Sequence, residues 1–175
     1  MSILNQKTLK TEVKFEGVGL HTGKEVSIKV CPSEPNTGIV FKRIDLDKNK
    51  IVFPNIFNVT NATLCTTISN EYGVSISTIE HLMAALYGLG VDNALIEINS
   101  QEVPIMDGSA KEFIEKFLMV GFDTSEVPIK LIKIINDVSI QDGSKYISIG
   151  KSNVSLDIDL KLNIQTHLLE TKKIK

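Results

Sequence analysis

Ser77-Thr78-Ile79-Glu80-His81-Leu82-Met83-Ala84-Ala85-Leu86 places a helix-start signal directly ahead of an apolar stripe. Ser77 and Glu80 have the Ser-x-x-Glu spacing of a capping box, with Ser77 as the N-cap. Ile79, Leu82, Met83 and Leu86 then fall at i, i+3, i+4 and i+7, one side of an amphipathic α-helix. At about 100° per residue, His81 projects roughly opposite that stripe and Glu80 roughly at right angles to it. Ala84 and Ala85 continue the same surface, so the Glu80/His81 face is expected to be low in relief and open to another layer.

An acid beside a histidine is half of what a zinc hydrolase site needs, and each residue also has a plainer reading. Glu80 serves equally as the reciprocal partner in the capping box. A solvated helix histidine is commoner than a metal ligand, although an apolar residue at His81 would staple better to Ile76. The zincin pattern His-Glu-x-x-His is absent, because the order is Glu-His and position 85 is alanine.

Composition narrows the class. With 175 residues, 42% hydrophobic and 23% charged, the chain has the make-up of a soluble protein of one or two small domains. A net charge of −2 gives no basic field for nucleic acid. The start, Met1-Ser-Ile-Leu-Asn-Gln-Lys7, has no apolar leader, and no run approaches a membrane span. Cys31 and Cys65 are too few for a disulfide framework, and no Cys-x-x-Cys occurs, so a reducing cytoplasm is the simplest address. His21, His81 and His167 are the whole imidazole supply.

Residues 1–126 read as one unit. Thr8 to Phe15 and Val26 to Cys31 alternate like strands, joined by the glycine-rich Gly17-Val-Gly-Leu-His21-Thr-Gly23. Gly38 to Arg43, Thr63 to Ser69 and Asn93 to Ile98 predict further strands, with an irregular connection around Asn58 to Asn61. Gly88 and Gly90 end the first helix. Pro104-Ile-Met-Asp107-Gly108 turns into a second, where Ser109 and Glu112 repeat the capping-box spacing, Phe113, Phe117 and Val120 share a face, and Gly121 suits C′. The fold class is therefore α+β, a two-layer sandwich of a sheet with two helices. A linker over 127–134 leads to a restart over 135–162, the first strands of a second domain. Val138–Ile140 and Tyr146–Ile149 flank Asp142-Gly143 as a hairpin, and Val154 to Leu162 alternates apolar and polar. Nothing that follows could cover that apolar face, and residues 163–175 are expected to be a disordered or aberrant tail.

Several of these stretches together resemble the N-terminal part of the UDP-3-O-acyl-N-acetylglucosamine deacetylases, zinc amidases of lipid A biosynthesis. The resemblance runs through Gly17-Val-Gly-Leu-His21-Thr-Gly23, Asn36-Thr-Gly38, Thr63-Leu-Cys65-Thr66, Ser77-Thr-Ile-Glu80-His81-Leu82, Gly88-Leu-Gly90, Asp92-Asn93 and Pro104-Ile-Met-Asp107-Gly-Ser-Ala110. It covers about residues 5 to 162, more loosely after 127. It implies two similar domains packed helices inward, with the active site between them. It implies that His81 is a Zn2+ ligand and Glu80 the general base. It also implies that Cys65 lies close to the metal and Lys145 near the nucleotide diphosphate, while His21, in a glycine-rich loop between strands, is in a position suited to lining the substrate cleft. Plainer accounts stand beside these: a solvent turn histidine, a small buried thiol and an exposed hairpin lysine. Asp107 similarly reads either as an orienting group or as turn chemistry before the second helix.

The departures bear on activity. The family takes two further zinc ligands, a histidine and an aspartate four residues on, from a C-terminal-domain helix, and a later histidine as general acid. None is present, and His167 cannot stand in because position 171 is threonine. Catalytic zinc takes three protein ligands plus water. The expectation is a deacetylase inactive as this chain alone, needing a separate C-terminal half. The other reading is a non-catalytic truncated or frameshifted fragment, prone to aggregate through Val154 to Leu162.

Overall fold

The structure is a computed structural model that describes residues 4–152 and 158–161. The chain divides into two compact units, 1–129 and 130–175. In the first unit the strands and helices run in this order: β1 (Asn5–Leu9), β2 (Val13–Val18), β3 (Glu25–Pro32), β4 (Ile39–Arg43), β5 (Ile51–Val52), β6 (Val59–Asn61), β7 (Thr67–Ser69), β8 (Ser75–Ile76), α1 (Glu80–Gly88), β9 (Ala94–Ile98), α2 (Lys111–Val120) and β10 (Phe122–Pro128). A single 3-10 turn, Ile56–Asn58, precedes β6 and is capped by the Asn55 side chain.

The main sheet has five strands in the order β2-β3-β9-β4-β5, antiparallel except for the β4–β9 pair. Alternation sorts its two faces. Phe15, Ile28, Val30, Phe41, Ile96 and Ile98 point to one side and are fully buried. Both helices cover that side, and the Phe15 ring sits 4.9 Å from Phe113 and 5.6 Å from Phe117. On the other face, Lys29 and Lys42 on the strands either side of β9 grip Glu97 at 2.9 and 2.7 Å. The expected α+β fold, a sheet with helices on one side, is what forms.

Several local expectations give way. Thr8 to Phe15 is not one strand. The chain breaks at Lys10 to Glu12 and changes partner: β1 pairs with β10, and β2 with β3. Leu9, Val13 and Phe15 keep the same parity across the break and are all buried, so alternation cannot reveal it. Asn58 to Asn61 is not wholly irregular. It includes β6, whose three residues are exposed and so lack a pattern, and β6 joins β7 and β8 in a small separate sheet. Of Thr63 to Ser69 only Thr67–Ser69 is strand, because Leu64 turns the chain at a positive φ of 66°.

Neither capping box forms. Ser77 instead donates its hydroxyl to Gln101 O (3.3 Å), and α1 starts only after Ile79, which has helical dihedrals. Ahead of α2, Ser109 Oγ accepts the Lys111 N–H and donates to Asp107, and no Ser109–Glu112 pair forms. At α1 tertiary partners have displaced the local pair, whereas at α2 Ser109 is held by neighbours two residues away. The core face of α1 is also rotated from the expected one. Ala85 is fully buried with Leu82 and Leu86, whereas Met83 is half-buried. Ala85 lies only about 60° around the axis from Leu82, on the core side. Only Ala84 of the two alanines faces out.

In the second unit, β11 (Val138–Asp142) and β12 (Lys145–Ile149) form an antiparallel hairpin with Asp142 opposite Lys145. The expected strand over 154–162 falls mostly outside the described residues, and the tail over 163–175, with His167, falls wholly outside them.

Two measurements probe this fold. Phe117→Ala removes a fully buried ring from the aromatic cluster and should destabilise the chain by about 3–5 kcal/mol in urea unfolding. The hydrogen bonds from Lys42 and then Lys29 hold the Glu97 carboxyl below its ordinary value of 4.5. Its contribution to stability is therefore present above that value and is lost as pH falls through the depressed folded one. The urea-midpoint gap between the native chain and Glu97→Gln should accordingly close on acidification, and a gap constant with pH would rule this out.

Candidate active site

Glu80 opens α1 and lies across the helix from the Leu82 stripe, about 160° around the axis. It is nevertheless half-buried, covered by the loop that follows β6. That loop turns at Leu64 and brings the Thr66 N–H to Glu80 Oε1 at 2.9 Å. The other carboxylate oxygen, Oε2, is buried and meets no hydrogen-bond partner. A buried acceptor left open is uncommon and calls for an explanation. Half the carboxylate is fixed and the other half is free to accept a proton. His81 follows on the flank of the helix beside Ala85 and is half-buried.

Cys65 lies in this same loop, next to the Thr66 that anchors Glu80. It is half-buried and free, and its Sγ approaches Thr67 Oγ1 at 3.8 Å. His21 is exposed in the turn between β2 and β3. Lys145 is exposed at the start of β12 in the second unit. Asp107 accepts the Ser109 N–H and hydroxyl (both 2.9 Å), which makes it the turn that launches α2. A groove of about 540 Å³ runs along the β1–β10 ribbon, lined by Gln6, Asn93 and Ser125 among others, and none of the candidate residues lines it.

The residue that sequence reasoning missed is Glu102. It is fully buried, and its carboxylate accepts the N–H of His21 (3.0 Å), the N–H of Thr22 (2.9 Å) and the hydroxyl of Thr78 (2.9 Å). Burial pushes the Glu102 carboxyl up, but the His21 and Thr22 amides and the Thr22 and Thr78 hydroxyls together hold it below the ordinary value. The fit leaves no space at Gly19, where a Cβ would collide with this carboxylate and with Thr22 Oγ1. Thr78 itself has φ 57°, a left-handed conformation rare for a β-branched residue. Strain of that kind costs of order 1–3 kcal/mol and persists only where surroundings enforce it. The enforcers are the Glu102 hydrogen bond and the bridge between Ser77 and Glu102. Glu102 thus ties the His21 turn to the residues immediately before Glu80 and His81. Nothing local marks it, since its partners are 81, 80 and 24 positions away.

Zinc meets an incomplete donor set. Among the described residues no three or more His, Cys, Asp or Glu side chains cluster so as to hold a metal ion. His81 is a single imidazole, and Glu80 offers one open oxygen. These residues do not fit the ion by themselves. No helix of the described residues is long and apolar enough to cross a membrane.

A family model described as UDP-3-O-acyl N-acetylglycosamine deacetylase matches residues 6–175. The UDP-3-O-acyl-N-acetylglucosamine deacetylase of Blochmanniella pennsylvanica (strain BPEN) is 43% identical over 162 residues, which is 92% of this chain and 54% of that protein. The protein of the same name from Haemophilus influenzae (strain PittEE) is 46% identical over 145 residues, 82% of this chain and 47% of that one. The chain spans about half the length of the curated relatives it matches. With nearly all of its sequence matched, this chain belongs to the UDP-3-O-acyl N-acetylglycosamine deacetylase family.

Proposed function

We propose that this chain supplies the general base, Glu80, and one Zn2+ ligand, His81, of a deacetylase that removes the N-acetyl group from UDP-3-O-acyl-N-acetylglucosamine in lipid A biosynthesis. One observation carries the reading: Glu80 opens α1 beside His81 with one oxygen pinned by Thr66 and the other buried and unpartnered. A carboxylate so held can receive a proton without first giving up a partner.

The chemistry asked of it is amide hydrolysis. Water adds to the acetyl carbonyl, the C–N bond breaks, and acetate and an amine leave. Glu80 takes the proton that the attacking water loses, and a proton is returned to the nitrogen as the C–N bond breaks, so that it leaves as the amine. The Thr66 N–H holds the carboxylate in place. His21 and Cys65 are proposed to line the substrate side, and Lys145 to meet the diphosphate as a point charge. Zinc, when bound, would polarise the carbonyl and the water. Its remaining ligands have to come from outside the described residues, from a C-terminal half of the family architecture. We place the reaction in the cytoplasm, on the lipid-bearing substrate.

A second reading has its own support. The absence of a metal-holding cluster among the described residues favours a chain that does not catalyse on its own. Zinc content and amidase turnover separate the two. The purified chain should hold well under one zinc and release no acetate. Mixed with the C-terminal half of the Haemophilus influenzae relative, it should gain both. Glu80→Gln should then lower turnover by about 10²–10⁴-fold. Tight stoichiometric zinc and turnover by the chain alone would sink the non-catalytic reading, and full activity of the Gln variant in the mixture would sink the role given to Glu80.

A further inference from the structure

Glu102 accepts three hydrogen bonds from two segments distant in sequence, and both segments carry candidate site residues. One is the turn with His21. The other is Thr78, two residues ahead of Glu80 and three ahead of His81. Every donor is neutral, an amide N–H or a threonine hydroxyl, so a fully buried carboxylate is held here without a cation in direct contact. Burying a charge in this way is unfavourable unless several donors are aimed at it. An ionised carboxylate is acceptor-only, whereas a glutamine would turn an NH₂ toward one of the donors. The arrangement therefore calls for the acid. Gly19 has no room for a side chain beside it, and Thr78 is held in a conformation it would not adopt alone.

We infer that Glu102 is a positioning residue, whose carboxylate locks the His21 turn and the first turn of α1 together and so sets where Glu80 and His81 stand. The inference rests on the reading of those two as base and ligand. A residue serving only fold stability would affect the whole sheet alike. A positioning residue acts at the helix start.

The test uses the full chain. Glu102→Gln is expected to speed amide hydrogen exchange at His21 and Thr22 by tenfold or more and to shift the His81 imidazole resonances. Exchange at Ile28 and Ile96, deep in the sheet, should stay unchanged. Thr78→Val deletes one hydroxyl and decides the matter if the Gln variant does not fold: it should move the His81 resonances while His21 and Thr22 stay protected. In the two-part enzyme with the Haemophilus influenzae half, both variants should lower kcat about tenfold or more at unchanged KM, since small misplacements of a base are costly. His81 resonances identical to the native chain in Thr78→Val, or an unchanged kcat in both variants, would overturn the inference. Lack of turnover in the unsubstituted mixture would instead count against the deacetylase reading. The exchange and resonance measurements need neither zinc nor substrate, and still decide the role of Glu102.

Discussion

Phe15 on the second strand meets Phe117 of α2 nearly edge-on and Phe113 at a tilt, and all three rings are fully buried. Aromatic side chains bury a large area each and prefer tilted contacts of this kind. With α2 held to the sheet by these rings, α1 finds its place beside it, burying Leu82, Ala85 and Leu86. The position of α1 in turn fixes where its first turn, with Glu80 and His81, lies. Charge on the opposite face of the sheet, the Lys29–Glu97–Lys42 row, leaves only one side on which helices can pack.

Within that frame the site is assembled by carboxylates answering backbone amides. Thr66 N–H fixes Glu80, and the His21 and Thr22 N–H groups converge on Glu102. Backbone donors suit this task because a turn held by its main chain cannot swing as a side chain can. The strained Thr78 lies between the two anchors.

Much of this was legible in the sequence. The apolar spacings announced both helices, and alternation announced β3 and β9, because each is decided by neighbours a few residues away. The Glu80-His81 pair was visible for the same reason. The face it occupies was read partly wrong: Ala85, assigned to the outside, is fully buried, while Met83, assigned to the core, packs against it only half-buried. The capping boxes were equally plausible locally: the first lost to partners farther along the chain, Thr66 for Glu80 and Gln101 for Ser77, and the second to the turn that Asp107 makes with Ser109. Glu102 had no local signature at all. It stands alone in Gln101-Glu102-Val103, and its meaning comes only from the turn the fold brings to it.

The β1–β10 ribbon brings the two ends of the first unit side by side: Asn5 stands opposite Pro128, and the Ile129 N–H reaches Leu4 O at 2.9 Å. Tension applied between residues 4 and 129 would load that ladder from its open end. The rungs would fail in sequence, as in a zip, rather than together, as in shear. Gln6 adds a cross-tie there, with its side chain bonded to Asn36, Asn93 and Pro128. The first unit is thus mechanically weakest where its ends leave it, and the aromatic layer beneath α2 is shielded from any pull until the ribbon has opened.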